Sequence, residues 1–147
     1  MEWSYFNNFE DLPVNTLYNI LKLRQEVFII EQDCIYDDID DYDQKCSHLL
    51  LTNSSDIVSY ARLVPKGVKY EEPSIGRIIV NPKYRGKGYG VDIVTKSIEL
   101  LEEDGADAIR IEAQAYLTKF YRELGFVVDS DIYDLDGIPH LEMILTL

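Results

Sequence analysis

Between Arg77 and Gly90 the chain reads RIIVNPKYRGKGYG, and this stretch restricts the fold more than any other. Ile78, Ile79 and Val80 read as a strand. Directly after the glycines, Val91, Val94, Ile98 and Leu101 set a helical stripe, closed by Gly105, where a left-handed C-cap favours glycine. A second strand, DAIRIEA, follows that helix. Two strands separated by one helix pair in parallel through a right-handed crossover, so the chain must build a sheet that carries helices.

The remaining segments extend that sheet. From Asn15, a good N-cap residue, the apolar positions Leu17, Ile20, Leu21, Val27 and Phe28 predict one long helix after a short N-terminal strand. HLLLT and DIVSYARLVP, separated by the turn-forming NSS, read as an antiparallel hairpin ended by Pro65, and SIGRIIV is the next strand. Leu117, Phe120, Tyr121 and Leu124 give a short helix stopped by Gly125. FVVDSDIY and HLEMILTL then flank Asp136 and Gly137 in a hairpin-like arrangement. Between the first helix and the first hairpin lies EQDCIYDDIDDYDQK, whose five aspartates from Asp37 to Asp43 would repel one another in a regular element; we expect a loop with at most a helical turn. The expectation is a mixed α/β sheet with helices on both faces, in a single domain spanning 1–147, since 147 residues are too few for two ordinary domains.

Charge decides which ligands the glycines can serve. With 27 acidic and 14 basic residues the formal charge is −13, which opposes nucleic-acid binding. An anionic ligand therefore needs a local reversal of sign, and Lys83, Arg85 and Lys87 supply one. A Walker A loop is excluded, because no lysine after such a loop precedes Ser or Thr. A dinucleotide fingerprint fits poorly: NPKYR intervenes after the strand, and the glycines run G-x-G-x-G. What remains is Arg85-x-x-Gly88-x-Gly90 opening a helix, where backbone N–H groups and the helix dipole converge on one ligand. A pyrophosphate fits that geometry; a solvated turn is the alternative for any lone glycine cluster. No apolar run approaches the roughly 18 residues of a membrane span, and MEWSYFNNFE lacks the features of a secretory signal. Cys34 and Cys46 are not spaced as a metal or redox pair, so a cytoplasmic, thiol-reduced protein without a metal is expected, and the aspartate run does not match an EF-hand.

RIIVNPKYRGKGYG resembles motif A of the GNAT superfamily of N-acetyltransferases, [QR]-x-x-G-x-[GA] after a strand ending in valine. AYLTKFYRELGF resembles the family's following helix, and LRQEVFIIEQDCIYDDID, YARLVP and DGIPHLEM are similar to its ElaA-like subfamily, so the resemblance covers essentially the whole chain. It implies a mostly antiparallel mixed sheet whose parallel central strands splay apart around acetyl-CoA. By resemblance, Gly86, Gly88, Tyr89 and Gly90 would offer amides to the pyrophosphate, Arg85 and Lys87 would add charge, and Ile78 and Val80 would bond the pantetheine through their backbones. Tyr121 matches the family tyrosine beside the CoA sulfur, although its place on an apolar stripe also suits a core residue. A phenol near pKa ~10 is a weaker acid than a thiol near ~8.5, so full proton transfer is uphill by about 2 kcal/mol, and hydrogen bonding to the leaving sulfur is its larger expected contribution.

The implied reaction is direct transfer of the acetyl group to a primary amine of a small molecule or peptide in a ternary complex, with both cysteines inert. The amine must be neutral to attack, so a base is needed, and Glu31, Glu112 and His140 are the candidates. Arg24 interrupts an apolar stripe and calls for an acidic partner. The aspartate run would be either a solvated face or a lure for cationic acceptors, with Arg62 and Arg77 as alternative acceptor ligands. A homodimer is compatible with the resemblance. The competing function is a catalytically silent acyl-CoA-binding regulatory module, which turnover with an amine panel would separate.

Overall fold

The computed structural model describes residues 1–147. Four strands, β1 (Glu2–Phe6), β2 (Ser47–Asn53), β3 (Asp56–Val64) and β4 (Ser74–Val80), form an antiparallel sheet in that order. Beside it lies a second antiparallel sheet ordered β5 (Ala108–Gln114), β8 (Ile138–Thr146) and β6 (Val127–Val128), with β7 (Tyr133–Leu135) pairing the start of β8. The expected hairpins are present, with turns at Ser54–Ser55 and at Asp136–Gly137.

The helices are α1 (Val14–Arg24), α2 (Tyr89–Glu103) and α3 (Thr118–Glu123). Helix α1 starts one residue before the expected cap: Leu17 N–H bonds the Pro13 carbonyl at 3.0 Å, and Asn15 sits inside the first turn. Proline suits this place because its fixed φ, here −59°, precedes the helix without requiring an N–H. The expected single helix then widens into a π-helical segment over Gln25–Glu31. It has wider bonds, such as Cys34 N–H to the Ile29 carbonyl at 3.1 Å, and Phe28, Glu31 and Gln32 at its end line a cleft.

Helices cover both faces of the first sheet, which is why β2 and β3 are apolar almost throughout. Leu49, Ala61 and Leu63 pack with Ile93, Val94 and Leu101 of α2, whereas Leu50, Ile57 and Tyr60 pack with Ile20, Leu23 and Val27 from α1 and the π segment. The second sheet alternates. Ile109, Ile111, Ala113, Leu141 and Met143 join the α2 core, while Arg110, Glu112, Gln114 and Glu142 turn to the other face.

The two sheets meet at β4 and β5. Arg110 N–H bonds the Pro73 carbonyl at 3.0 Å near the beginning of both strands, and no ladder continues beyond it. The C-terminal halves of both strands line one cleft, so the strands run in the same direction and diverge. This is the splayed parallel pair expected between α2's flanking strands.

Candidate active site

The diverging strands open a cleft of about 660 Å³. Its β4 wall has free backbone groups. Asn81 N–H bonds the Val58 carbonyl on β3 at 2.8 Å, and since backbone groups of successive strand residues point to opposite edges, those of Ile78 and Val80 point toward β5, where no ladder forms. Arg77 is left-handed at φ 48°, next to an irregular register between β3 and β4, a conformation that costs energy in a non-glycine residue.

At the mouth, Asn81 fixes the turn Pro82–Tyr84. Its side chain accepts from Lys83 N–H at 3.1 Å and donates to the Ile57 carbonyl at 2.8 Å. Gly86 and Gly88 follow at φ 78° and 85°, which is the conformation that makes glycine necessary there; nothing lies within 4 Å of a Cβ built at Gly88. The first bond of α2 runs from Asp92 N–H to the Gly88 carbonyl at 3.2 Å, so the amides of residues 86 to 91 have no acceptor in the protein. That row of donors, together with the α2 dipole, is a site for an anion. Of the three cations expected to reverse the local sign, Lys83 meets Asp56 at 3.6 Å and Arg85 is held by Glu31 at 2.6 and 2.9 Å, leaving Lys87 without an acidic partner.

Tyr121 is packed in the core and also lines the cleft. Its ring packs edge-on between Phe120 and Phe126, at 5.1 and 5.9 Å, within the α2 core. Its hydroxyl has no protein partner and is not sealed from the cleft that the residue lines. Burial raises its pKa, so at neutral pH the phenol is a hydrogen-bond donor.

The three candidate bases all reach the cleft, in different states. The Arg85 bonds lower the Glu31 pKa and occupy both oxygens. Glu112 is also held at both oxygens, by Tyr133 Oη at 2.6 Å and by Lys69 Nζ at 3.0 Å; burial works against ionisation, but these two partners outweigh it and lower the pKa. The Ile138 carbonyl accepts from His140 Nδ1 at 2.8 Å. Sequence reasoning missed Tyr133 and Lys69. The register of the Asp136–Gly137 hairpin, which sets Tyr133 opposite His140, was the available signal for the tyrosine.

The remaining wall corrects the expectation for the aspartate run. It is neither a solvated face nor a free lure for cations, because three of its carboxylates lie under three arginines. Arg24, fully buried, bonds Asp38 Oδ2 at 2.9 Å, Asp43 Oδ1 at 2.7 Å and the Asp38 carbonyl at 2.7 Å. Arg62 holds Asp40 through two bonds of 2.8 Å and Asp43 at 3.0 Å. Arg77 reaches Asp38 at 2.8 Å and Asp40 at 3.1 Å. Burial pushes the Asp40 carboxyl up, but Arg62 and then Arg77 prevail and bring it down to about 2. Arg24 thus has the acidic partners it called for, and Arg62 and Arg77 are committed to the loop.

A family model of the acetyltransferase (GNAT) domain matches residues 16–147. The chain belongs to the GNAT acetyltransferase family. It is 36% identical to the protein ElaA of Escherichia coli over 146 residues, covering 97% of this chain and 95% of that protein. A UPF0039 protein of Schizosaccharomyces pombe is 39% identical over 148 residues, covering 99% of this chain and 95% of its relative. The crystal structure of E. coli ElaA superposes with a TM-score of 0.90 over 98% of both chains at 35% identity. An acyl-CoA N-acyltransferase of Pseudomonas aeruginosa superposes at 0.93 over 99% of both, at 30% identity. This GNAT member is thus a GNAT-type acyltransferase of ElaA-like kind, and no helix of it is long and apolar enough to cross a membrane.

Proposed function

We propose that this GNAT member, a single domain over 1–147 acting in the cytoplasm, transfers the acetyl group of acetyl-CoA to a primary amine of a small molecule or peptide by direct attack in a ternary complex. The observation that carries the proposal is the row of unpartnered amides at residues 86 to 91, placed where α2 begins and where the β4–β5 gap opens. Six successive donors without acceptors at a helix N-terminus match a pyrophosphate in charge and number. Gly86, Gly88, Tyr89 and Gly90 would hold it, with Lys87 adding charge and Arg85 joining once released from Glu31.

Deeper in the cleft, the free edge groups of Ile78 and Val80 would pair with the amides of the pantetheine arm, as strand groups without a ladder require partners. Acetyl-CoA supplies an activated thioester. The Tyr121 hydroxyl would donate to the sulfur as it departs, and the base would come from the group Glu31, Glu112 and His140. Acetyl-CoA binding measured by calorimetry, followed by free-thiol release with a panel of primary amines, tests the proposal. Thiol release that depends on both substrates is expected; tight binding without release would instead make the protein a silent acyl-CoA sensor.

A further inference from the structure

Among the three candidate bases, Glu31 and Glu112 each have both carboxylate oxygens bonded to a partner, whereas His140 has a ring nitrogen that no protein group bonds. A carbonyl oxygen can only accept, so in the neutral imidazole the 2.8 Å contact with Ile138 requires the ring hydrogen on Nδ1 and leaves the lone pair on Nε2. No protein group bonds Nε2. It is not among the sealed unpartnered polar atoms, and His140 lines the cleft, so this nitrogen opens on it.

The surroundings hold the ring in that state. Asp136 and Gly137, at φ 53° and 82°, form the two-residue turn that sets Tyr133 directly across from His140. The two rings stack at 24° with centroids 6.5 Å apart. Tyr133 in turn donates to Glu112, whose other oxygen is held by Lys69. The titratable and charged groups near this ring come from several elements: Glu112 on β5, Lys69 before β4 and Asp136 at the turn line the same cleft, and Glu142, two residues along β8, is bonded at 3.1 Å by Arg110. Glu112 attracts the imidazolium that proton uptake creates, without competing for the proton.

We propose that His140 is the general base of the acyl transfer and that Tyr133 and Glu112 position it. This rests on the acyltransferase reading given above. An amine arriving as ammonium gives one proton to Nε2 of His140 and becomes the nucleophile. Its nitrogen forms the C–N bond to the thioester carbonyl carbon, the C–S bond breaks with its electron pair leaving on sulfur, and the second amine proton ends on that sulfur. His140 then returns its proton to water, so one proton is released per turnover.

Two measurements test this. The chain has two histidines, so nitrogen-15 spectra resolve each imidazole, with His140→Gln giving the assignment. His48 must carry its hydrogen on Nε2, because that atom bonds the Asp43 carbonyl at 2.9 Å, whereas His140 is expected to carry it on Nδ1. An Nε2–H tautomer at His140 overturns the proposal whatever the acceptor is. The second measurement follows thiol release from acetyl-CoA with benzylamine, spermidine and a lysine peptide amide as probes. His140→Gln is expected to lower kcat on the order of 100-fold or more and to abolish the acid limb of the pH profile of kcat/KM, with acetyl-CoA affinity unchanged. Tyr133→Phe keeps the stacked ring but loses the Glu112 bond; it is expected to lower kcat several-fold at unchanged acetyl-CoA KM while the limb remains. A limb that survives His140→Gln refutes the assignment, and its loss in Glu112→Gln alone would transfer the role to Glu112. If wild-type protein releases no thiol with any probe, the parent acyltransferase reading fails for those amines, and the tautomer alone decides His140.

Discussion

Arg24→Met probes the arginine–aspartate cluster behind the cleft wall. Arg24, Arg62 and Arg77 balance Asp38, Asp40 and Asp43, so the cluster as a whole is neutral. Methionine fills much of the arginine volume but removes three hydrogen bonds of 2.7 to 2.9 Å, leaving one net negative charge in a site where Asp38 and Asp43 are both buried. Breaking a buried pair by removing one partner costs about 3–5 kcal/mol. At about 3 °C per kcal/mol for a chain of this size, Tm should fall by roughly 10–15 °C. The sign of the pH dependence is a second check. In the wild type, burial opposes but Arg24 and Arg62 lower the Asp43 pKa, and Asp40 lies at about 2. Both therefore contribute stability that is present above the unfolded carboxylate pKa and is lost as pH falls through the lower folded value. In Arg24→Met an uncompensated carboxylate gains by taking a proton, so the deficit against wild type should shrink between pH 7 and pH 4.5. Urea unfolding at both pH values, with Arg24→Met/Asp43→Asn as the charge-relieved companion, measures this. A deficit below about 1 kcal/mol, a deficit that does not change with pH, or a double variant less stable than the single one would refute the account of the cluster.

Three further outcomes are expected. Gly88→Val should weaken acetyl-CoA binding by at least about tenfold, because a side chain would stand among the free amides; the left-handed φ of 85° adds strain of about 1–2 kcal/mol, so Tm should be recorded beside the calorimetric Kd. Tyr121→Phe preserves the edge-on packing and deletes only the unpartnered hydroxyl, so kcat should fall by roughly 10–100-fold, the value of a hydrogen bond to a charged group, at nearly constant acetyl-CoA Kd. Glu31→Gln removes the carboxylate that holds Arg85, a pair about half exposed on both sides, and should tighten acetyl-CoA binding by about two- to fivefold, an advantage that fades as salt rises.

The sequence by itself determined the elements that rest on local rules. The strand–glycine–helix stretch, the stops at Gly105 and Gly125, and the hairpin turns at Ser54–Ser55 and Asp136–Gly137 all follow from backbone preferences of a few residues, and the structure has them in place. Apolar periodicity likewise placed α2 and the strand after it, which together imply the crossover around the cleft. What periodicity could not register was the widening of α1's continuation into a π segment, since a change from four to five residues per bond leaves the apolar pattern nearly intact over seven residues. The functional states of the titratable groups were decided only by the tertiary structure. Asp37 to Asp43 looks like a repelling run because the neutralising guanidiniums of Arg24, Arg62 and Arg77 come from α1, β3 and β4, which are distant in sequence. Glu31, Glu112 and His140 are all residue types that can serve as a base. Folding engages the first two through Arg85, Tyr133 and Lys69, while a carbonyl two residues away fixes the hydrogen of the third and leaves its other nitrogen free. Basicity in a protein is set by which partners the fold brings within about 3 Å, and for Glu31 and Glu112 those partners are distant along the chain.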